Sequence, residues 1–306
     1  MKRSKITLTL SLIFFAFVLA ANHTTYAQTS VTLANDAATE GSDPYNEAVR
    51  RYLNNERPKI IGGKQAPDAA FPWQVSLGVA FIADPLSAHF CGGSVYSERW
   101  IVTAAHCVER LTPAKVIVSA GTNRLVPGTT RANVKLIIVK KNYDRNTHDN
   151  DIALIELLNP LPLSFQIKPV SLLTPAEDTG RLIEGASFVV TGWGATQEGG
   201  QTVRDLRYLD ELPLVLRSVC NEPFSYDGKI TENMICAGVL AGGKDSCQGD
   251  SGSGLTIDAS SAPKLAGIVS WGEGCARPNR VGIYTRVANY ADWVNQCVSN
   301  SLTCNQ

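Results

Sequence analysis

From Phe71 onward the chain consists of short apolar or alternating runs, among them Trp73–Leu77, Val116–Ser119, Val134–Val139, Ile152–Leu157, Ala186–Thr191, Leu265–Ser270 and Gly282–Val287. They are separated by Gly, Pro, Asn and Asp. Many short strands with turn signals between them predict an all-β barrel or sandwich. Only the tail, Ala288–Val298, reads as a helix, with Trp293, Val294, Cys297 and Val298 on one apolar face. Periodicity alone does not say how many barrels there are.

The N-terminus has another character. Met1–Lys5 is basic, Ile6–Ala21 is nearly all apolar, and Thr25-Tyr26-Ala27 ends in a small residue. This is the pattern of an export signal cut after Ala27. A membrane anchor is the competing reading, but the run is short for a spanning helix and no later one is long enough, so no membrane association is expected. Eight cysteines agree with an oxidising destination, extracellular or, in a bacterium, periplasmic. Their spacing leaves the pairing open. Residues Gln28–Lys59 are polar and lack strand-like alternation, the composition of a flexible arm that buries too little apolar surface to order itself. With 28 basic and 28 acidic residues the chain shows no sign of a nucleic-acid partner.

The chemistry concentrates in Asp245-Ser246-Cys247-Gln248-Gly249-Asp250-Ser251-Gly252-Ser253-Gly254. A serine is a poor nucleophile without a base to take its proton and donors to hold the developing oxyanion. Of the four histidines His23 lies in the leader, leaving His89, His106 and His148. His106 ends the apolar run Trp100–Ala105 and stands beside Cys107. Asp151 opens the strand-like Asp151–Leu157 and is the carboxylate placed to orient an imidazole. Asp149 is equally acidic but does not lead directly into the strand, and reads as a solvated loop residue. His148 reads as a loop residue, His89 joins no ligand cluster, and no metal-ligating spacing is present.

The order His106, Asp151, Ser251, together with Ile60-Ile61-Gly62-Gly63, Gly192-Trp193-Gly194 and Val269-Ser270-Trp271-Gly272, resembles the trypsin-type serine proteases of the chymotrypsin family from about Ile60 to Asn300. The resemblance implies an all-β fold of two six-stranded antiparallel β-barrels with a C-terminal helix, the site lying in the crevice between them. It makes Ser251 the nucleophile, His106 the general base and Asp151 its orienting partner. The backbone N–H groups of Gly249 and Ser251 become the oxyanion donors, and Ser270 the hydrogen-bond partner of Asp151. Asp245 becomes the floor of a slot for Arg or Lys, lined by Ser246, Ser270, Trp271, Gly272, Gly282 and Tyr284. Residues 1–27 are then a signal peptide, 28–59 a propeptide cut after Lys59, and 60–306 the protease domain. The new amino group of Ile60 would pair with Asp250. The disulfides implied are Cys91–Cys107, Cys220–Cys236 and Cys247–Cys275, which leaves Cys297 with Cys304. The expectation is a secreted, monomeric zymogen acting on proteins or peptides, served by itself or by an activating protease.

Three features depart from the family pattern. Ser253-Gly254 stands where Gly-Pro is usual, and Val281 where Pro is usual. No acidic residue occurs from Ile117 to Tyr143, so no calcium site, and no other cofactor, is expected. Two other readings are a catalytically silent homologue that only binds, and an esterase or lipase, in which the serine would come first in the chain.

Overall fold

The computed structural model describes residues 41–56, 64–195, 202–243, 249–258, 262–275, 277–301 and 304. In chain order its strands are β1 (Lys64–Gln65), β2 (Gln74–Val79), β3 (His89–Val95), β4 (Trp100–Thr103), β5 (Val116–Ala120), β6 (Thr130–Val139) and β7 (Ala153–Leu157). There follow β8 (Ser171–Leu172), β9 (Ser187–Gly192), β10 (Arg207–Val215), β11 (Met234–Ala237), β12 (Gly254–Ile257), β13 (Lys264–Trp271) and β14 (Gly282–Arg286). Strands β2-β3-β4-β7-β6-β5 close into one antiparallel barrel. Strands β9-β10-β11-β14-β13-β12 close into a second through the β9–β10 and β9–β12 pairings, with β1 and β8 added on β10 and β13. Closure leaves no long unpaired edge, which is how short strands of this kind escape aggregation.

Each barrel is filled by the apolar runs visible in the sequence. Leu77, Ile101, Val118, Ile138 and Leu154 pack inside the first, and Phe188, Val190, Leu212, Ile235 and Leu255 inside the second. Every strand expected from the sequence is present, with ends shifted by a few residues at most. The C-terminal helix runs Ala291–Ser299 behind a 3-10 turn, Val287–Tyr290; Val294 and Cys297 are buried, and Trp293 and Val298 pack against the core. Cys91–Cys107, Cys220–Cys236 and Cys297–Cys304 are bridged. Cys275 is also disulfide-bonded, and its expected partner Cys247 lies outside the described residues.

One expectation is corrected. Part of the supposed flexible arm is helix α1 (Asp43–Leu53), whose Tyr45, Ala48 and Val49 are 1 %, 0 % and 0 % exposed. These three stand at i, i+3 and i+4, one face of a helix, and they join the first barrel's core. The segment is too polar to fold alone, and it orders because the barrel supplies the apolar partner; burying Val49 contributes about 1.5–3 kcal/mol. Pro44 in the first turn, Asp43 at its start and Arg50 and Arg51 in the last turn suit a helix and its dipole.

The unusual Ser253 finds its reason at the seam between the barrels. It is fully buried, and its Oγ accepts a hydrogen bond from Gln74 Nε2 at 3.0 Å. Gln74 Oε1 in turn accepts from Thr191 Oγ1 of the second barrel at 2.6 Å. The hydroxymethyl occupies the space above Gly92, where any Cβ would overlap the Ser253 hydroxyl. Gly92→Ala therefore destabilises the fold by roughly 1–3 kcal/mol through overpacking, and adding Ser253→Gly recovers most of that. Ser253→Gly alone costs about 1 kcal/mol for the lost hydrogen bond. A denaturant-unfolding double-mutant cycle with additive losses would contradict this packing.

Candidate active site

The loop between β4 and β5 carries the short helix Ala105–Val108, which places His106 at the barrel seam with a side chain 12 % exposed. Asp151 lies immediately before β7 and is fully buried. His106 Nδ1 is 2.7 Å from Asp151 Oδ2, and the His106 backbone N–H donates to Asp151 Oδ1 at 2.9 Å. From the second barrel, Ser270 Oγ donates to Asp151 Oδ2 at 2.5 Å. A buried carboxylate only accepts, so the His106 proton sits on Nδ1 and Nε2 is left to act as a base.

Burial works to lower the His106 pKa, but the charge of Asp151, its hydrogen bond, and the nearby Glu109 and Asp43 outweigh it, and the value lies above the usual 6.5. Burial alone would raise Asp151, yet the imidazole and the hydrogen bonds from His106 and Ser270 bring it below its ordinary range. The two shifts agree: each group favours the charged form of the other.

Ser251 arrives from the loop that precedes β12. Its carbonyl accepts from the Gly92 N–H of β3 at 2.7 Å. The Cys91–Cys107 bridge lies against the histidine, with Cys107 Sγ 3.7 Å from His106 Nε2. Gly249 has φ +93°, a left-handed conformation that a side chain would strain, and its carbonyl is tied to the first barrel. That tie is His89, which the sequence reading assigned to no cluster. His89 is fully buried, its Nε2 is 3.0 Å from the Gly249 carbonyl, and its Nδ1 accepts from Ser76 Oγ at 2.7 Å. A lone histidine inside an otherwise apolar strand, His89–Val95, was the available signal.

Other residues also carry more than the sequence assigned to them. Asp149 is not merely solvated: its carboxylate accepts from Thr231 Oγ1 at 2.6 Å and from Asn233 Nδ2 at 3.1 Å, fastening the Asp151 loop to the second barrel. His148 stacks on Trp271 (6.0 Å, 21°) and meets His106 edge-on (6.2 Å, 88°), so it walls the cleft. Gly192 and Gly194 border the Asp250 carboxylate so closely that a Cβ on either would overlap it, and the Gly194 N–H donates to Asp250 Oδ1 at 2.8 Å. Ser270 and Trp271 end β13, Gly282 begins β14, and Gly272 follows as an exposed residue beside the cleft. Tyr284 is fully buried in the second barrel's core. Asp245, Ser246, Lys59 and Ile60 lie outside the described residues.

A buried acid and histidine from one barrel, bonded to a serine of the other and set where the Ser251 loop docks on Gly92, suit acyl transfer. A sequence model of the family described as Trypsin matches residues 60–294. The chain belongs to the trypsin family. It is 38 % identical to "Trypsin" of Sus scrofa, over 81 % of this chain and 99 % of that protein. It is 40 % identical to "Trypsin-1" of Astacus astacus, over 77 % and 98 %. It is 37 % identical to "Cationic trypsin-3" of Rattus norvegicus, over 82 % and 94 %. This trypsin-family chain is accordingly a serine endopeptidase acting on protein substrates. No helix among the described residues is long and apolar enough to cross a membrane.

Burial pushes His89 down to about 4, from the usual 6.5. The unfolded chain takes up a proton near 6.5 and the folded one only near 4, so this site's stability is intact above 6.5 and is lost as pH falls through 4. Unfolding free energy measured across that window falls by up to about 3 kcal/mol more in the native sequence than in His89→Gln. Parallel curves for the two proteins would remove His89 from this role.

Proposed function

We propose that this endopeptidase cleaves after Arg or Lys, is exported under the signal 1–27, and matures by a cut after Lys59. The observation that carries the catalytic reading is the His106–Asp151 pair at 2.7 Å, closed by Ser270 and set at the seam where the Ser251 loop docks on Gly92. His106 Nε2 takes the Ser251 proton as Oγ attacks the scissile carbonyl carbon, and then gives it to the leaving amine. Asp151 holds the tautomer and stabilises the imidazolium. The Gly249 and Ser251 N–H groups receive the oxyanion, with His89 fixing the adjoining Gly249–Asp250 peptide between the two donors. Water then repeats the sequence on the acyl-enzyme.

The preference for Arg or Lys rests on Asp245, six residues before Ser251, and on small residues at Gly272 and Gly282, which leave room for a long cationic side chain. A neutral side chain in such a slot would leave the carboxylate unpaired. That the similar proteins are named trypsins supports the same reading. Maturation follows from Arg57-Pro58-Lys59 standing directly before Ile60-Ile61-Gly62-Gly63. A new ammonium at Ile60 would meet the carboxylate of Asp250, which the Gly192-Trp193-Gly194 strand end already positions. Lys59 suits the enzyme's own specificity as well as that of an external activator. The working form is read as a monomer.

A positional peptide library, cut by material whose N-terminus has been sequenced as Ile-Ile-Gly-Gly, tests the whole reading. Cleavage after Arg and Lys is expected; Ser251→Ala lowers kcat by roughly 10⁵–10⁶, and Asp245→Ser erases the basic preference. Retained preference in Asp245→Ser would overturn the slot. The base must be neutral to act, so the acid limb of the kcat/KM profile has its midpoint above 6.5. A midpoint below that value would show that Asp151 does not govern His106.

A further inference from the structure

Helix α1 does not lie at random on the first barrel. It packs across the start of β3, the short helix Pro85–Ala88 and the helix that carries His106. Tyr45 meets Phe90 edge-on at 5.7 Å, and Tyr52 meets Phe81 at 6.2 Å. The buried Ser42 hydroxyl donates to the Cys107 carbonyl at 2.6 Å, one residue from the catalytic histidine. Arg51 donates to the His89 carbonyl at 3.2 Å, and Asp43 pairs with Arg145 at 3.0 Å, which also holds Glu109 at 3.1 Å. Tyr45, Ala48 and Val49 belong to one continuous cluster with Phe90, Val108 and Leu111.

The position matters because the cleft has two sides. On one stand Trp271, Gly272 and the His148 stack, the side on which the proposed slot would take the acyl part of a substrate. On the other stands the Cys91–Cys107 bridge, with His89 and Phe90 beyond it. In the proposed reading the amine half of a substrate lies along that bridge, and α1 sits against it. No cysteine precedes residue 60, so a cut after Lys59 leaves no covalent link to the segment. Losing it would bare the face of Phe90, Val108 and Leu111, at a cost proportional to the apolar area exposed.

We propose that segment 41–56 is a ligand of the mature catalytic domain: after the cut the helix stays seated on the leaving-group side of the cleft and obstructs substrate residues downstream of the scissile bond. The proposal rests on maturation after Lys59. The segment also carries its own means of removal, because Arg50 and Arg51 fit the enzyme's specificity but are held in a helix, not in the extended form a protease cleft accepts. Inhibition is therefore self-limiting: each spontaneous release offers two basic bonds for cleavage.

The test uses the full chain carrying Ser251→Ala, which cannot digest its own segment, cut with a lysyl-specific protease; Lys59 is the sole lysine from Gln28 to Lys59. N-terminal sequencing reports the cut, and native size exclusion with mass spectrometry reports the segment. Co-elution at micromolar concentration is expected, and Val49→Asp is expected to release it. Should Val49→Asp not fold, Ser42→Ala with Arg51→Ala removes two of the three polar anchors and leaves the apolar face intact; release in that variant gives the same support. In the active chain, matured in the same way, KM for a peptide extending three residues beyond the scissile bond is expected to drop about tenfold in the releasing variant. An amide with a small chromogenic leaving group should be nearly unaffected. A chain shown to begin at Ile60 that sheds its segment at micromolar concentration, or equal effects on both substrates, overturns the proposal. A different N-terminus overturns the maturation reading instead, while co-elution still reports whether the helix binds.

Discussion

A fully buried carboxylate holds this molecule's two halves in register. Asp151 has no water to stabilise it, and an unpaired charge in such a place would be prohibitively costly. It is satisfied by the His106 backbone and ring from its own barrel and by Ser270 from the other, while Thr285 of β14 donates to its carbonyl at 2.6 Å. The same bonds that make burial tolerable orient the imidazole. Stability and the orientation of the imidazole thus share one set of contacts, and the barrels cannot slide on one another without exposing or orphaning the charge.

Around that point the seam is built of further polar groups that are paired across it. Gln74 links Thr191 to Ser253, Asp149 reaches Thr231 and Asn233, and His89 reaches the Gly249 carbonyl. Directional bonds of this kind set geometry more sharply than apolar contact does. They explain why a seam between two separately filled barrels can hold reacting groups in fixed relation. The Ser253 departure belongs to this set: what looks in the sequence like the loss of a glycine and a proline is a hydroxyl filling the space above Gly92 and extending a hydrogen-bonded chain.

Helix α1 extends the first barrel's core by a part that the proposed cut after Lys59 would sever from the protease domain. A core shared between a domain and a removable segment couples the apolar economy of folding to the fate of that segment. Its docking face adjoins the histidine-bearing helix, so whatever seats or unseats it acts close to the chemistry.

How much of this was legible in advance can be traced residue by residue. The strand runs, the C-terminal helix face of Val294 and Cys297, and the buried histidine and aspartate partners could all be read, because a period of two, a period of 3.6 and a carboxylate leading a strand are local properties. The order of His106, Asp151 and Ser251 with their flanking motifs pointed to the family for the same reason. His89, Asp149 and Ser253 could not be read, since each owes its part to a partner far along the chain: Gly249, Thr231 and Gln74. Nor could α1. Its Tyr45, Ala48 and Val49 had the spacing of a helical face, but three apolar residues in a polar stretch outweigh the entropy of ordering only when a surface is waiting for them. The sequence by itself determined the strands and the family. Tertiary structure alone decided which polar groups meet across the seam and whether the N-terminal segment folds, because both depend on closing long loops to bring remote atoms within a few ångströms.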